Sequence, residues 1–227
     1  MDERGAALVL ALMAMTLLSA LGLVLAATTS TELLIAANYR NGQEALYAAE
    51  AAAERALAEL PMAPGWNALL DGSTQSAFVD GPPSGVRTLP DGTTIDLTQL
   101  VNMANCGKTT TCTAAELTAN GSGDRPWGAN NPVWHPYAYG RLTALLPSGA
   151  IDSPFYVVLF VGDDPSETDG DPLHDGSDLA TNPGSGVIAL RAEAFGPRGA
   201  HKVIELTAAR ADTTADALSV LSWREVR

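Results

Sequence analysis

The sequence predicts an α+β chain in which one long N-terminal helix, membrane-spanning and then amphipathic, packs on an antiparallel sheet. Three observations carry this. Residues 6–27 are an apolar run of 22 residues, and no charged side chain occurs between Gly5 and Glu32. From Glu32 to Leu60 helix-forming residues continue, now with charges, and no proline intervenes before Pro61. Past residue 139 the pattern changes to β-branched and aromatic runs separated by turn residues, which is how strands read.

The apolar run comes first. As a helix rising ~1.5 Å per residue, 22 residues reach about 33 Å, a match for the ~30 Å of hydrocarbon in a bilayer. A cleaved secretory signal has a shorter apolar core, of roughly 7–15 residues, and a small-residue cleavage site. Ala26 and Ala27 supply small residues, so a signal peptide and a plain membrane anchor are the simple alternatives. Beyond Glu32, Leu46, Ala49, Ala53, Leu57 and Leu60 recur at threes and fours on one helix face, which Glu50, Glu54, Arg55 and Glu59 avoid. Ala48, Ala49, Ala51, Ala52 and Ala53 let another backbone come close, either the chain's own sheet or a neighbouring subunit. Gly22 and the pair Asn41-Gly42 are weak points, since glycine costs a helix about 1 kcal/mol relative to alanine. Pro61, Pro64 and Gly65 end the helix.

The head, residues 62–227, is long enough for its own core. Its 62–136 portion is turn-rich: DGPPSGVRTLPDGTT is turn chemistry, and TIDLTQLVNM reads as a short helix or a strand. Trp127, Trp134, Tyr137 and Tyr139 stand among Asn, Gly and Pro and read as caps on a sheet edge. YGRLTALL alternates in part as a strand, and FYVVLFVG is a continuous run suited to a buried central strand. GVIALRAEAF and HKVIELTAAR flank GPRG as an antiparallel hairpin. ALSVLSWREVR closes the sheet, with Trp223 and Val226 pointing inward.

Charge and chemistry narrow the function. The formal net charge is −13, from 26 acids and 13 bases, and phosphate binding needs clustered cations, so a nucleic-acid partner is not expected. The only cysteines are Cys106 and Cys112, expected to be disulfide-bonded if the head lies outside the cytoplasm. His135, His174 and His201 fall in different kinds of segment, and no nucleophile elbow, HExxH or phosphate loop occurs, so no enzyme is expected. Residues 163–178 hold seven acids and no base. They read as a solvated acidic loop or as a calcium site built from Asp163, Asp164, Glu167, Asp169, Asp171, Asp175 and Asp178, since calcium takes six to eight oxygens.

The stretch RGAALVLALMAMTLLSALGLVLA, followed by ELLIAANYRNGQEALYAAEAAAERAL, resembles the N-terminal region of PilX-like minor pilins of type IV pili over roughly the first sixty residues. The resemblance implies a pilin-like architecture: a leader at 1–5, a transmembrane and filament-core helix at 6–27, an amphipathic continuation at 28–61 and an antiparallel head at 62–227. It implies a prepilin peptidase that cuts after Gly5 and leaves Ala6 as the new, N-methylated terminus. Major pilins carry a glutamate at the fifth position after the cut. Here that position is Leu10, which suits a minor or tip subunit. The implied setting is a single-pass inner-membrane protein with its head outside the cytoplasm, later part of an extracellular pilus (a fimbrium) and its adhesion. Other pilins and inner-membrane pilus assembly proteins are its implied partners. A minor pseudopilin of a type II secretion system is the alternative within this class, and a membrane-anchored periplasmic binding or adhesive domain is the one outside it.

Overall fold

The computed structural model describes residues 3–63, 65–119, 125–145, 152–176, 181, 184–210 and 218–226. The chain forms two compact units, Met1–Asn41 and Gly42–Arg227. Helix α1 spans Glu3–Glu59 as one unbroken element, so neither Gly22 nor Asn41-Gly42 interrupts its secondary structure. Leu60–Met62 tightens into a single 3₁₀ turn with Pro61 inside it, because proline offers no N–H to continue the ladder.

The second unit is built on a five-stranded antiparallel sheet, in the order β3 (His135–Arg141), β4 (Tyr156–Asp163), β5 (Val187–Gly196), β6 (Ala200–Arg210) and β7 (Leu218–Val226). A small hairpin precedes it, β1 (Val86–Thr88) with β2 (Thr94–Asp96). Short helices α2 (Asn67–Leu70), α3 (Leu97–Cys106), α4 (Ala114–Leu117) and α5 (Leu142–Leu145) complete the fold. The α+β expectation, one long N-terminal helix on an antiparallel sheet, is borne out.

Every residue of β4 is buried, which explains its continuous apolar run: both faces of the sheet are covered. On one face, Ala45, Ala48, Ala49, Ala52, Ala53 and Ala56 of the helix, with Leu60 of the turn that follows it, pack against Val157, Leu159, Val161, Leu190, Ala192, Ile204 and Leu206. On the other face Tyr156, Val158 and Phe160 meet Leu89, Leu97, Ala104 and Trp134. Small alanines bring the helix axis close to the sheet, and large aliphatic side chains on the strands fill the space. Each large apolar side chain so buried is worth about 1.5–3 kcal/mol.

Three local readings need correction. TIDLTQLVNM is both a strand and a helix: β2 ends at Asp96, whose side chain caps α3 by accepting from Thr98 N at 2.9 Å. YGRLTALL is not one strand. Strand β3 begins earlier, at His135, and Leu142–Leu145 turns into helix α5. Trp223 does not point into the core; it is 40% exposed, because β7 is the last strand of the sheet and has no further strand outside it.

Candidate functional site

The first feature is the apolar part of α1. Among the described residues this is the one helix long and apolar enough to cross a membrane. Its large side chains, Leu8, Leu10, Leu17, Leu23 and Ile35 among them, are exposed. The hydroxyls at the end of the run are bonded internally: Thr28, Thr29, Ser30 and Thr31 donate to the carbonyls of Val24, Leu25, Ala26 and Ala27 at 2.9–3.1 Å. A hydroxyl that returns its proton to its own helix needs no water. The apolar surface therefore extends through Thr31, a consequence of the TTST tetrapeptide that the apolar run alone does not show. At Gly5 a Cβ would meet nothing, so no packing in the fold requires glycine there.

The second feature is the segment braced by cysteines. Cys106, the last residue of α3, is disulfide-bonded to Cys112 with a Cα–Cα distance of 6.0 Å. Gly107 adopts φ +69° at the helix end, a left-handed conformation that glycine takes without cost. Thr113 and Glu116 then form a capping box on α4, with Lys108 Nζ 2.6 Å from Glu116. Asn105 ties this segment to the sheet by donating to Trp134 O at 3.0 Å and accepting from Trp134 N at 2.8 Å. Between this segment and the far face of the sheet lies a cleft of about 610 Å³, lined in part by Trp127, Trp134, Arg125, Arg191 and Arg224. None of the three histidines lines it. Arg191 and Arg224 are both engaged by Glu205 there.

The acidic loop is the third feature. Asp163 closes β4 and is 4% exposed, and Glu167 is 1% exposed. Asp163 Oδ1 and Glu167 Oε1 are buried without a hydrogen-bond partner. Burial, with Glu167 nearby, pushes the Asp163 carboxyl up to about 8. Burial, then Asp169, pushes Glu167 up to about 7. The other acids serve backbone turns. Asp164 accepts from Ser166 N at 3.1 Å, Asp169 from Asp171 N at 2.9 Å, and Asp175 from Gly186 N at 2.7 Å. Among the described residues no three carboxylates, imidazoles or thiols are grouped to hold a metal ion, and Asp178 lies outside the described residues. The structure thus buries Asp163, Asp164 and Glu167, turns Asp164, Asp169 and Asp171 onto local backbone N–H groups, and turns Asp175 onto Gly186 N.

The histidines are dispersed. The ring of His135 is half-buried against Gly72, with its pKa lowered by that burial, while His174 Nδ1 lies 3.1 Å from Gly176 O. His201 Nε2 sits 2.9 Å from Glu193. That last contact belongs to a feature not singled out in the sequence, a ladder of ions on the far sheet face. Arg191 donates to Glu193 at 2.7 Å and to Glu205 at 2.7 Å, and Arg224 adds a second pairing to Glu205. The signal for it was present: in a hairpin turning at GPRG, Arg191 falls directly opposite Glu205.

A long N-terminal helix with an exposed apolar segment and an antiparallel sheet define a class, that of α+β proteins with a long N-terminal helix. The PilX N-terminal family model matches residues 4–54, so the first part of the chain is similar to the N-terminal region of PilX-like pilins. The match lies in the long helix and leaves residues 55–227 uncovered. No curated protein and no solved structure matches the chain.

Proposed function

We propose that the protein is a minor pilin that takes part in type IV pilus assembly, either in initiation or in the tip structure. The observation that carries this reading is the apolar segment of α1, whose side chains are exposed inside the stretch that matches the PilX N-terminal model. Exposed apolar surface of that extent needs a nonpolar surrounding. A bilayer supplies one before assembly, and the packed helices of a filament supply one after it. In this reading residues 1–5 are the leader, a prepilin peptidase cuts between Gly5 and Ala6, and the head faces outward from the inner membrane. A glycine without any packing role at position 5 supports recognition by the peptidase as its reason. Leu10, uncharged and 67% exposed, cannot pair with a neighbour's terminal amine, which favours a minor position over a repeating one. The head is expected to reach the cell exterior as part of a fimbrium. A type II secretion pseudopilin would share all of these features and differ in the genes beside it.

Mass spectrometry of the N-terminal peptide, from cells that carry a prepilin peptidase, tests the proposal. We expect an N-methylated Ala6 terminus. Recovery of intact 1–5 from the assembled form would overturn it and favour an uncut, anchored binding domain.

A second reading concerns the acidic loop and rests on its two orphaned oxygens. Asp163 and Glu167, with Asp164, Asp169, Asp171, Asp175 and Asp178 as further oxygen donors, would take a calcium ion after the turn-forming carboxylates rearrange.

A further inference from the structure

The two edges of the five-stranded sheet are finished differently. At the β3 edge, residues 76–80 run alongside and pair with it. Ser76 N donates to Tyr137 O at 2.9 Å, Tyr139 N to Phe78 O at 3.0 Å, and Asp80 N to Tyr139 O at 2.9 Å. At the β7 edge, among the described residues, no backbone hydrogen bond reaches the outer side of the strand. Nine residues make that edge about 30 Å long at ~3.4 Å per residue.

Open edges are usually blunted by charge, proline or shortness. Strand β7 carries a bulge but is neither short nor interrupted by proline. Val220 is 47% exposed, Leu221 60% and Trp223 40%. Its charged residues Arg224 and Glu225 pair back onto the sheet, with Glu205 and Lys202. Leu221 is the extra residue of a bulge, between the pairs Thr207–Ser222 and Ala208–Val220, and a bulge re-aims side chains at an edge.

Beside the edge runs a strip of α1. Tyr47, Glu50, Ala51 and Glu54 stand at i, i+3, i+4 and i+7, one helix face, and with Trp223 they line a shallow groove. Tyr47 is 63% exposed. Among the described residues Glu50 and Glu54 make no ion pair. The surface therefore offers unpaired backbone groups along one line, two aromatic rings next to it, a gap over Ala51, and two uncompensated carboxylates. A second copy is a poor occupant. The chain carries −13, and pairing β7 with β7 would bring two acidic strips together without a countercharge.

We propose that β7 is an acceptor edge for a strand donated by a different chain. That strand is an extended segment with apolar residues and lysine or arginine on its helix-facing side. Main-chain bonds would supply the affinity, and the pockets for alternate side chains the selectivity. The donated strand becomes the sixth of the sheet. Its apolar residues cover Tyr47, Ala51 and Trp223, and its cations meet Glu50 and Glu54. This deepens the assembly reading and rests on it for where the partner is met, but its chemistry is tested separately.

The test uses the full chain in detergent micelles and the labelled peptide Ser-Val-Thr-Lys-Thr-Val-Thr-Lys-Ser-Val. Two relatives of the peptide serve as controls, one with glutamate for lysine and one N-methylated at alternate amides. The lysine peptide is expected to bind and to slow hydrogen exchange of the 219–225 amides at least about fivefold. N-methylation should weaken it roughly tenfold or more, since it blocks the ladder. Glu50→Lys with Glu54→Lys should cost the lysine peptide a similar factor and make the glutamate peptide the better ligand. Absent binding, protection elsewhere than β7, or indifference to both N-methylation and charge reversal would overturn the proposal. So would self-association of the full chain that protects β7 without peptide, which would make a second copy the occupant. Failure here with an Ala6 terminus found in cells would leave the pilin reading standing. Peptide binding with an intact leader would do the reverse.

Discussion

Glu193 on β5 and Asp163 on β4 are equally shielded from solvent, 4% exposed each, in neighbouring strands of one sheet. Their carboxyls are nonetheless held in opposite states. Burial opposes ionisation of Glu193, but hydrogen bonds from His201 and then the Arg191 guanidinium outweigh it and hold the group below the usual glutamate range. At Asp163 burial acts with the nearby Glu167, and the carboxyl rises to about 8. Depth alone does not set the charge of a buried acid; its partners do. The ladder around Glu193 is complete, whereas the pair at Asp163 and Glu167 has two oxygens left over. One region looks finished by the fold itself, and the other looks like a place where something further binds or a proton stays.

The largest effect should come from breaking the finished region. Arg191→Met removes one partner of Glu193, which keeps His201, and one partner of Glu205, which keeps Arg224, leaving buried charge undercompensated, at a cost of roughly 3–5 kcal/mol. For a chain of this size that is a fall in melting temperature of about 10 °C or more. Adding Glu193→Gln and Glu205→Gln should restore most of the loss, since the penalty lies in the stranded charges. All four tryptophans, Trp66, Trp127, Trp134 and Trp223, lie in the Gly42–Arg227 unit, so their fluorescence in detergent-solubilised full chain reports on that unit. A loss below about 1 kcal/mol for the single variant would mean that water already reaches the ladder.

The unfinished region should respond in the other direction. A carboxyl whose folded pKa is raised binds its proton more tightly in the fold, so its contribution is full below the unfolded value of about 4. It is lost as pH rises from there to about 8 for Asp163, and to about 7 for Glu167. Glu193 runs opposite, with a contribution present above the unfolded value of about 4.3 and lost as pH falls through its lowered folded value. Asp163→Asn, measured with chelator present, should therefore stabilise the protein by about 1–3 kcal/mol at pH 8. The gain should shrink as pH approaches 4. A variant no more stable than the parent at pH 8 would show that Asp163 finds a donor in solution.

How much of this the sequence revealed depends on the range of the interactions involved. The apolar run, the amphipathic stripe and the β5–β6 hairpin are local patterns, set by 3.6- and 2-residue periods, and the structure follows them. The alanine surface at 48–53 left two partners open, and the chain's own sheet took Ala48, Ala49, Ala52 and Ala53. Alternation along a strand does not say whether another strand follows outside it, and Trp223, on the last strand of the sheet, is exposed. Residues 62–136 were hard to read because their structure hangs on long-range contacts. Asn105 on Trp134, and Arg125 on Pro132 O at 2.8 Å, hold elements that their own sequence leaves undecided. In the acidic loop composition showed the charge, but only the fold separates two buried carboxyls from those that cap turns.

The smallest expected effect, and the one that bears most on the contrast, is that of calcium. If the leftover oxygens of Asp163 and Glu167 serve a cation, the ion must recruit carboxylates now spent on turns, such as Asp164 and Asp169. That rearrangement keeps the affinity in the weak, extracellular class of ~10⁻⁴–10⁻³ M. At about 5 mM calcium such a site stabilises by roughly 1–2 kcal/mol through mass action, a rise in melting temperature of a few degrees. The rise should be larger at pH 8 than at pH 5, because calcium and the proton compete for the same two carboxyls. Asp169→Asn with Asp171→Asn should abolish it and leave the metal-free protein nearly as stable, since those side chains are exposed. In calcium the Asp163→Asn advantage at pH 8 should narrow, because the ion supplies the partner that Glu193 already has. A melting curve identical in calcium and in chelator at both pH values would leave Asp163 and Glu167 as protonated acids, and the rest of the loop as a series of capped turns.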